Sequence, residues 1–485
     1  MSNDVRLRKG LEVELDIERM EFPNKGIAHY EGHKIAVKNA FTGQKVLARL
    51  TRFRATYVEA KILEVICRAE FEEDSFCEHF GKCGGCSFQT VPYEKQIEIK
   101  EGMVKSIIDS AIESYNENCD GFFDKCNYDL ANYKLLPVVK NPRIFEYRNK
   151  MEFSFGDSEI GGPLKLGMHK KGSFYEIVNV DKCHIVDKDY RILLREVLKY
   201  FTEKEVPYYH KKSMVGILRY LVVRKSVKTN QILINLFTTS QTFEDESVKR
   251  TFDEDFVKFC HNLGLDAEIK GIIHSYTDSQ SDVALAERFD AIYGEDKIVE
   301  KLFDLKFNIS TKSFFQTNTL GAESLYSVIR DFVGETKDKV IYDLYSGTGT
   351  IGQIVSANAK KVIGIEIVED AVKKANENAK LNGIENCTFI AGDVLNKVHE
   401  LVEYDGGNKP DIIILDPPRQ GIHPKALPKI LEYSPEEFIY VSCKPSSLSK
   451  DLPLFFAKGY KLSEVRCCDL FTWTSGIETV LKLVK

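Results

Sequence analysis

The 485-residue sequence has no apolar run approaching the roughly 20 residues that a helix needs to cross a bilayer. Its opening, MSNDVRLRKG, also lacks the apolar stretch of a secretory leader. Both absences point to a cytoplasmic chain with no membrane partner. Internal repeats and low-complexity tracts are missing, and no segment is poor enough in apolar residues to stay disordered, since hydrophobic residues make up 43% and charged residues 29%. An excess of positive charge is missing as well. The net charge of −6 argues against wholesale coating of nucleic acid, although local clusters survive under an acidic total. Disulfides are not expected either, because a reducing compartment keeps the twelve cysteines as thiols, so any that cluster invite a metal or catalytic reading. The length suits about three domains, and nothing in it demands an obligate protein partner.

Residues 1–68 alternate short β-prone runs (LEVELDI, HKIAVK, KVLARLTRF, YVEAKILEVI) with Gly and Asn turn signals, the pattern of a small five-stranded, OB-like barrel. Between His33 and Arg54 lie six Lys or Arg residues and no acid, a stripe that suits either a nucleic-acid backbone or a solvated strand face. Cys77, Cys83 and Cys86 follow in one loop. Their spacing points to a metal and leaves zinc and iron–sulfur chemistry both open. An amphipathic helix comes next, near 93–112. Residues 130–310 mix strands and helices and interleave aromatic with basic residues in RIFEYRNKMEFSFG, KLGMHKKGSFY and HKKSMVGILRYLVVRK; such residues either hold single-stranded bases or fill a core. From Lys339 onward strands and helices alternate in the rhythm of a doubly wound, mainly parallel sheet.

Gly347, Gly349 and Gly352 fit G-x-G-x-x-G between a strand and a helix, and Glu366 stands 19 residues after Gly347, where a carboxylate can accept hydrogen bonds from ribose hydroxyls. A nicotinamide cofactor would fit those facts equally well. Asp343, Asp393 and the D-P-P-R run from Asp416 to Arg419 decide against it. An acidic rim on the carboxyl edge of one sheet suits the cationic sulfonium and amine of S-adenosylmethionine and would repel a pyrophosphate.

Cys443 in VSCKP ends a strand facing the same crevice, and Glu478 in GIETVLK is an acid among apolar strand residues, costly to bury without a task. Carbon 5 of uracil is too poor a nucleophile to attack a methyl sulfonium unaided. A thiolate adding to carbon 6 creates an enolate whose carbon 5 can take the methyl group, and a carboxylate then removes the carbon 5 proton so that the thiol leaves. Cys443 and Glu478 supply those two groups.

Taken together, the barrel, C-x5-C-G-G-C from Cys77 to Cys86, EYRNKMEFSFG, DKCHI, FFQTN, DLYSGTGTIG, ILDPPRQG, YVSCKP and GIETV resemble the RNA uracil-5-methyltransferase family, of the type carrying an N-terminal TRAM domain and an iron–sulfur cluster. The resemblance runs over essentially the whole chain. It implies a TRAM barrel at 1–68, a cysteine loop and central RNA-binding α+β domain at 69–310, and a Rossmann-like α/β methyltransferase domain at 311–485 on which the helix near 93–112 packs. It also implies that Cys443 is the nucleophile and Glu478 the base, and that Gln316, Tyr345, Thr350, Glu366, Asp393 and Asp416 contact S-adenosylmethionine. Cys183 would join Cys77, Cys83 and Cys86 around a structural 4Fe–4S cluster. The implied target is 23S ribosomal RNA, since transfer-RNA enzymes of the family commonly lack both the TRAM domain and the cluster. The chain departs from relatives at Lys444, where S-C-N-P is common, and at FTWTSGIE, where Pro and His are. The rival readings are the same reaction on transfer RNA, an amino-group methyltransferase, for which D-P-P-R is the signal, and a noncatalytic RNA-binding assembly factor.

Overall fold

The computed structural model describes residues 7–117, 132–159, 161–241, 243, 245–397 and 409–485. The opening MSNDVR, counted above within the barrel, lies outside the described residues. Among the described residues no helix is long and apolar enough to cross a membrane.

The N-terminal strands form a six-stranded sheet in the order Glu12–Asp16, Lys45–Phe53, Val58–Cys67, His33–Lys38, Lys25–Tyr30, Arg19–Glu21. Alternation along the strands turns Val13, Leu15, Ala28, Ile35, Val37, Val46, Ala48 and Leu50 into one core. The ladder has six strands rather than the expected five, and its order leaves the first and second strands at its two edges. The basic stripe is mostly neutralised: Lys34 pairs with Glu21 at 2.8 Å, Lys45 with Glu14 at 3.0 Å, Arg49 with Glu12 at 2.6 Å and Arg54 with Glu59 at 2.8 Å. Four of the six cations thus face acids supplied by other positions in the sheet, which favours the solvated-face reading over an open track for phosphates.

The central region is a seven-stranded sheet in the order Ile177–Asn179, Lys165–His169, Lys150–Gly156, Leu218–Lys225, Gln231–Thr238, Glu268–Tyr276, Arg288–Gly294. Helices Lys188–Glu203 and Glu246–His261 send Leu193, Leu194, Val197, Phe201, Phe256 and Cys260 into the core with Phe153, Leu221 and Ile234.

The third sheet has eight strands: Cys387–Ala391, Ala359–Glu366, Thr336–Leu344, Ile412–Leu415, Glu437–Ser442, Glu478–Val484, Lys461–Cys468, Lys134–Val139. All run one way except Glu478–Val484, which is antiparallel to both neighbours. Runs such as Ile412–Leu415 are apolar throughout because helices cover both faces. Two pieces of this unit come from elsewhere in the sequence. The edge strand Lys134–Val139 lies in a stretch read as central domain, and Ile298, Leu302, Phe307 and Ile309 of the hairpin Lys297–Leu302/Leu305–Ser310 share a core with helix Thr319–Val333, so the boundary expected at 310 falls inside one packed unit. Helix Tyr93–Glu117 sends Val104, Ile108, Ala111 and Ile112 into the core that holds Leu448, Leu452 and Phe455.

The tie between that helix and the segment leading to Glu478 is ionic. Lys100 Nζ lies 2.7 Å from Asp469 Oδ1, with both side chains fully buried, and Gln96 Oε1 accepts the Trp473 N–H at 3.1 Å. The Trp473 carbonyl in turn accepts the N–H groups of Ser87 and Phe88, which joins the cysteine loop to the segment between strands Lys461–Cys468 and Glu478–Val484 of the third sheet. Removing one partner of a buried ion pair leaves the other uncompensated, at a cost of about 3–5 kcal/mol. Lys100→Met should therefore lower the denaturation midpoint sharply, and Lys100→Met/Asp469→Leu should recover most of the loss. Denaturant titration followed by circular dichroism checks both outcomes.

Candidate active site

Asp343 is fully buried at the end of strand Thr336–Leu344. Its Oδ2 accepts the Gly352 N–H at 2.9 Å, while Oδ1 has no hydrogen-bond partner. Burial, helped by the charges of Asp416 and Glu366, pushes its carboxyl up to about 7. Asp416, at the end of Ile412–Leu415, is pushed to about 7 by burial alone. Between them the glycine loop turns on left-handed residues. Gly349 has φ 72°, and a Cβ there would stand 2.4 Å from the Phe389 ring, so only glycine fits. Tyr345, a non-glycine at φ 67°, carries strain of the kind that collects at functional sites.

The inserted antiparallel strand brings together the predicted nucleophile and base. Its register places Thr479 opposite Ser442 and Glu478 opposite Cys468, so Cys443, directly after Ser442, and Glu478 emerge at the same sheet edge. Each feels the other's neighbourhood. Burial raises Cys443 to about 11, with the charges of Glu478 and Asp416 adding and Arg419 opposing. Glu478 is 4% exposed, and burial raises it to about 8, with Asp416 adding and Arg419 again opposing. Arg419 was singled out only as part of D-P-P-R; the structure shows it as the cation acting on both groups.

Gln316 lies in the loop before helix Thr319–Val333, where its carbonyl accepts from Asn149 at 3.1 Å. Its side chain hydrogen-bonds the buried Tyr326 hydroxyl, which burial and the charges of Asp416, Glu478 and Asp343 push far above its ordinary value. Tyr326 therefore backs the whole acidic cluster. It escaped the sequence reading because a tyrosine at helical spacing looks like ordinary core. Glu366 accepts the Gly347 N–H at 3.0 Å and the Val368 N–H at 2.9 Å, fixing the glycine loop against the second strand. Tyr345 is raised to about 12 by burial and by the charges of Asp393 and Asp451, so it stands near Asp393. Asp393 accepts the Leu395 N–H at 3.0 Å and thereby also caps a helical turn. Thr350 is buried at the start of helix Thr350–Ser356. The structure thus brings Asp343, Asp416, Cys443, Glu478 and Gln316 together, with Glu366, Tyr345 and Asp393 along the same edge.

The four cysteines form a separate centre. Cys86 is pushed up to about 12 and Cys183 to about 11, chiefly by burial, with Cys183, Cys83 and Cys77 adding at the first and Cys83 and Cys77 at the second. Gly84 N–H donates to the His169 carbonyl at 2.9 Å, which docks the loop on the central sheet. Among the described residues, however, no group of three or more His, Cys, Asp or Glu is arranged to hold a metal ion. The expected iron–sulfur cluster is not supported by the side-chain placement: the thiols gather without converging on one point.

The comparisons with known proteins agree on the chemistry's general class. The model of the tRNA (Uracil-5-)-methyltransferase family matches residues 284–485. An "Uncharacterized RNA methyltransferase" of Clostridium tetani is 46% identical over 477 residues, covering 98% of both chains, and one of Caldanaerobacter subterraneus is 43% identical over 479 residues, covering 99% of this chain and 100% of the other. Among solved structures, the Pyrococcus abyssi tRNA (uracil-54, C5)-methyltransferase in complex with S-adenosyl-L-homocysteine superposes with a TM-score of 0.70 at 23% identity, covering 96% of this chain and 99% of that one; at that identity the likeness speaks for the fold.

Three carboxyls raised to about 7, 7 and 8 hold protons near neutrality and should give them up when a cation arrives. Binding of S-adenosylmethionine between pH 7 and 8 should release more protons than binding of its uncharged thioether product; calorimetry in buffers of different ionisation enthalpy measures the difference, and equal release would contradict the placement of the acids. Because these folded values lie above the ordinary carboxyl values of 3.8 and 4.5, the folded chain binds the extra protons, and stability should fall as pH rises from about 4 through about 8. Glu478→Gln should flatten the upper part of that slope.

Proposed function

The chain belongs to the RNA methyltransferase family, and from that premise we propose that it methylates carbon 5 of a uridine in 23S ribosomal RNA, with S-adenosylmethionine as the methyl donor. The observation that carries this reading is the register of strand Glu478–Val484, which delivers a thiol and a buried carboxyl to the acidic end of a parallel sheet.

The residues divide the work as follows. Tyr345, Glu366, Asp393, Asp416 and Gln316, with Thr350, hold the methyl donor, whose electrophilic methyl group is the chemistry it supplies. A uridine turned out of its stack enters between Asp416 and Cys443. Cys443 loses its proton, and its sulfur bonds to carbon 6, moving the ring electrons toward carbon 5 and the carbonyl oxygen. The positive charge of Arg419, which acts on both reactive groups, favours the thiolate and the enolate alike. Carbon 5 takes the methyl group. Glu478 then removes the carbon 5 proton, the double bond re-forms, and the Cys443 thiolate leaves. In this reading the six-stranded N-terminal sheet is a TRAM barrel and the central seven-stranded sheet grips the RNA, while the unit built on the third sheet turns over in the reducing cytoplasm.

Cys77, Cys83, Cys86 and Cys183 are read as ligands of a 4Fe–4S cluster that orders the loop. The donor chemistry supports this assignment, since thiolates are soft donors and burial makes those of Cys83, Cys86 and Cys183 costly without a cation beside them. Ribosomal RNA as the target rests on the sequence resemblance to the branch of the family that has a TRAM domain and a cysteine cluster. Transfer RNA is the second reading, favoured by the description of the family that matches residues 284–485.

Cys443→Ala should abolish methylation, by about three orders of magnitude or more. Glu478→Gln should instead complete the first two steps and stall, leaving RNA covalently attached to protein; denaturing electrophoresis would show a slow-migrating, methyl-labelled adduct that is absent from Cys443→Ala. Anaerobically purified protein should carry about four iron atoms per chain, lost in Cys83→Ser, and active protein loaded only with zinc would overturn the iron assignment.

A further inference from the structure

On the central sheet, away from the catalytic crevice, a cavity of about 120 Å³ opens among tyrosine rings and basic side chains. One buried water needs about 10–15 Å³ on this scale, so the space admits a ring rather than a single solvent molecule. Phe174 and Tyr175 stand at its rim, 80% and 62% exposed, although large aromatic side chains gain by burial. Lys212 Nζ lies 5.4 Å from the Tyr175 ring centre, and the buried Arg219 guanidinium stacks 4.5 Å from that of Tyr209. Inside, His169 Nε2 meets Asp282 at 3.0 Å, while His169 Nδ1 is buried without a hydrogen-bond partner and can serve a ligand. Lys211, also paired with Asp282 at 2.6 Å, adds a second cation at the wall.

We propose that this cavity binds one unpaired base of the same RNA strand that offers its uridine to Cys443, with Tyr175 and Phe174 stacking on the ring and His169 Nδ1 hydrogen-bonding its edge. Lys212 meets the adjoining phosphate. Aromatic faces beside cations hold single-stranded bases in this way.

The geometry links the two sites. Asn149, at the start of strand Lys150–Gly156, hydrogen-bonds the Gln316 carbonyl and the Thr319 hydroxyl, and the same strand carries Ser154, which faces Tyr220 across the sheet, to the cavity. Along that strand the cavity begins at Ser154, five residues beyond Asn149, or about 17 Å at about 3.4 Å per residue. A second anchor at that spacing would select RNA by where its unpaired bases fall. The proposal rests on the RNA reading above but not on the methylation chemistry.

The test uses the full chain. Phe174→Ala/Tyr175→Ala should weaken binding of a fluorescein-labelled oligouridine about ten-fold or more, in the wild-type and Cys443→Ala backgrounds alike, with the circular dichroism spectrum and S-adenosylmethionine affinity unchanged. Photo-crosslinking of 4-thiouridine-substituted, unmodified 23S ribosomal RNA should label peptides around 173–176 or 208–212. Unchanged oligouridine affinity together with crosslinks confined to the catalytic crevice would overturn the proposal. Loss of binding in a protein that methylates no uridine would keep this site and sink the methylation reading instead.

Discussion

The antiparallel strand Glu478–Val484 sits between two strands that run the opposite way, and its register decides what the crevice can do. Side chains alternate with a period of two, so a slip of one residue would turn Glu478 to the other face of the sheet and leave Cys443 without a base. The register is held from both sides, by ladders to Glu437–Ser442 and Lys461–Cys468. It is held again at the loop before the strand, where Asp469 is clamped by Lys100 and Trp473 is pinned to Gln96. A helix more than 360 residues upstream thus helps to position the proposed base.

A second constraint is electrostatic. Asp343 and Glu478 sit close enough to Asp416 for its charge to raise the proton affinity of each, and Asp343 Oδ1 finds no partner within the protein. A set of acids this buried is poorly matched to a neutral or anionic ligand and well matched to a sulfonium. The opposing charge of Arg419 sits where the thiol and the carboxyl both sense it. The same logic of uncompensated burial applies to Cys83, Cys86 and Cys183, whose thiols burial holds above their ordinary range.

Much of the catalytic unit was legible in the sequence because its signals are local. An apolar strand buried on both faces, a glycine turn and an acid at the strand's end lie within a few residues of one another, as in DLYSGTGTIG. What stayed hidden was non-local. Lys134–Val139 completes the third sheet from a distance of more than 300 residues, and its short mixed run carries no mark of the sheet it joins. The basic stripe from Lys34 to Arg54 looked open because Glu12, Glu14, Glu21 and Glu59 come from other parts of the barrel region. Tyr326 was illegible because an aromatic at core spacing reads the same whether it fills space or touches a ligand, and for the same reason the runs KLGMHKKGSFY and HKKSMVGILRYLVVRK, which line the aromatic cavity, left base binding and core packing both open.

The central claim is that the thiol and the carboxyl act on a pyrimidine carbon, and the identity of the methylated nucleoside tests it most directly. Purified protein incubated with methyl-labelled S-adenosylmethionine and unmodified 23S ribosomal RNA, followed by nuclease digestion and mass spectrometry, should yield 5-methyluridine. Label on an exocyclic amine or a ribose would contradict the account, because neither acceptor needs Cys443 to become nucleophilic.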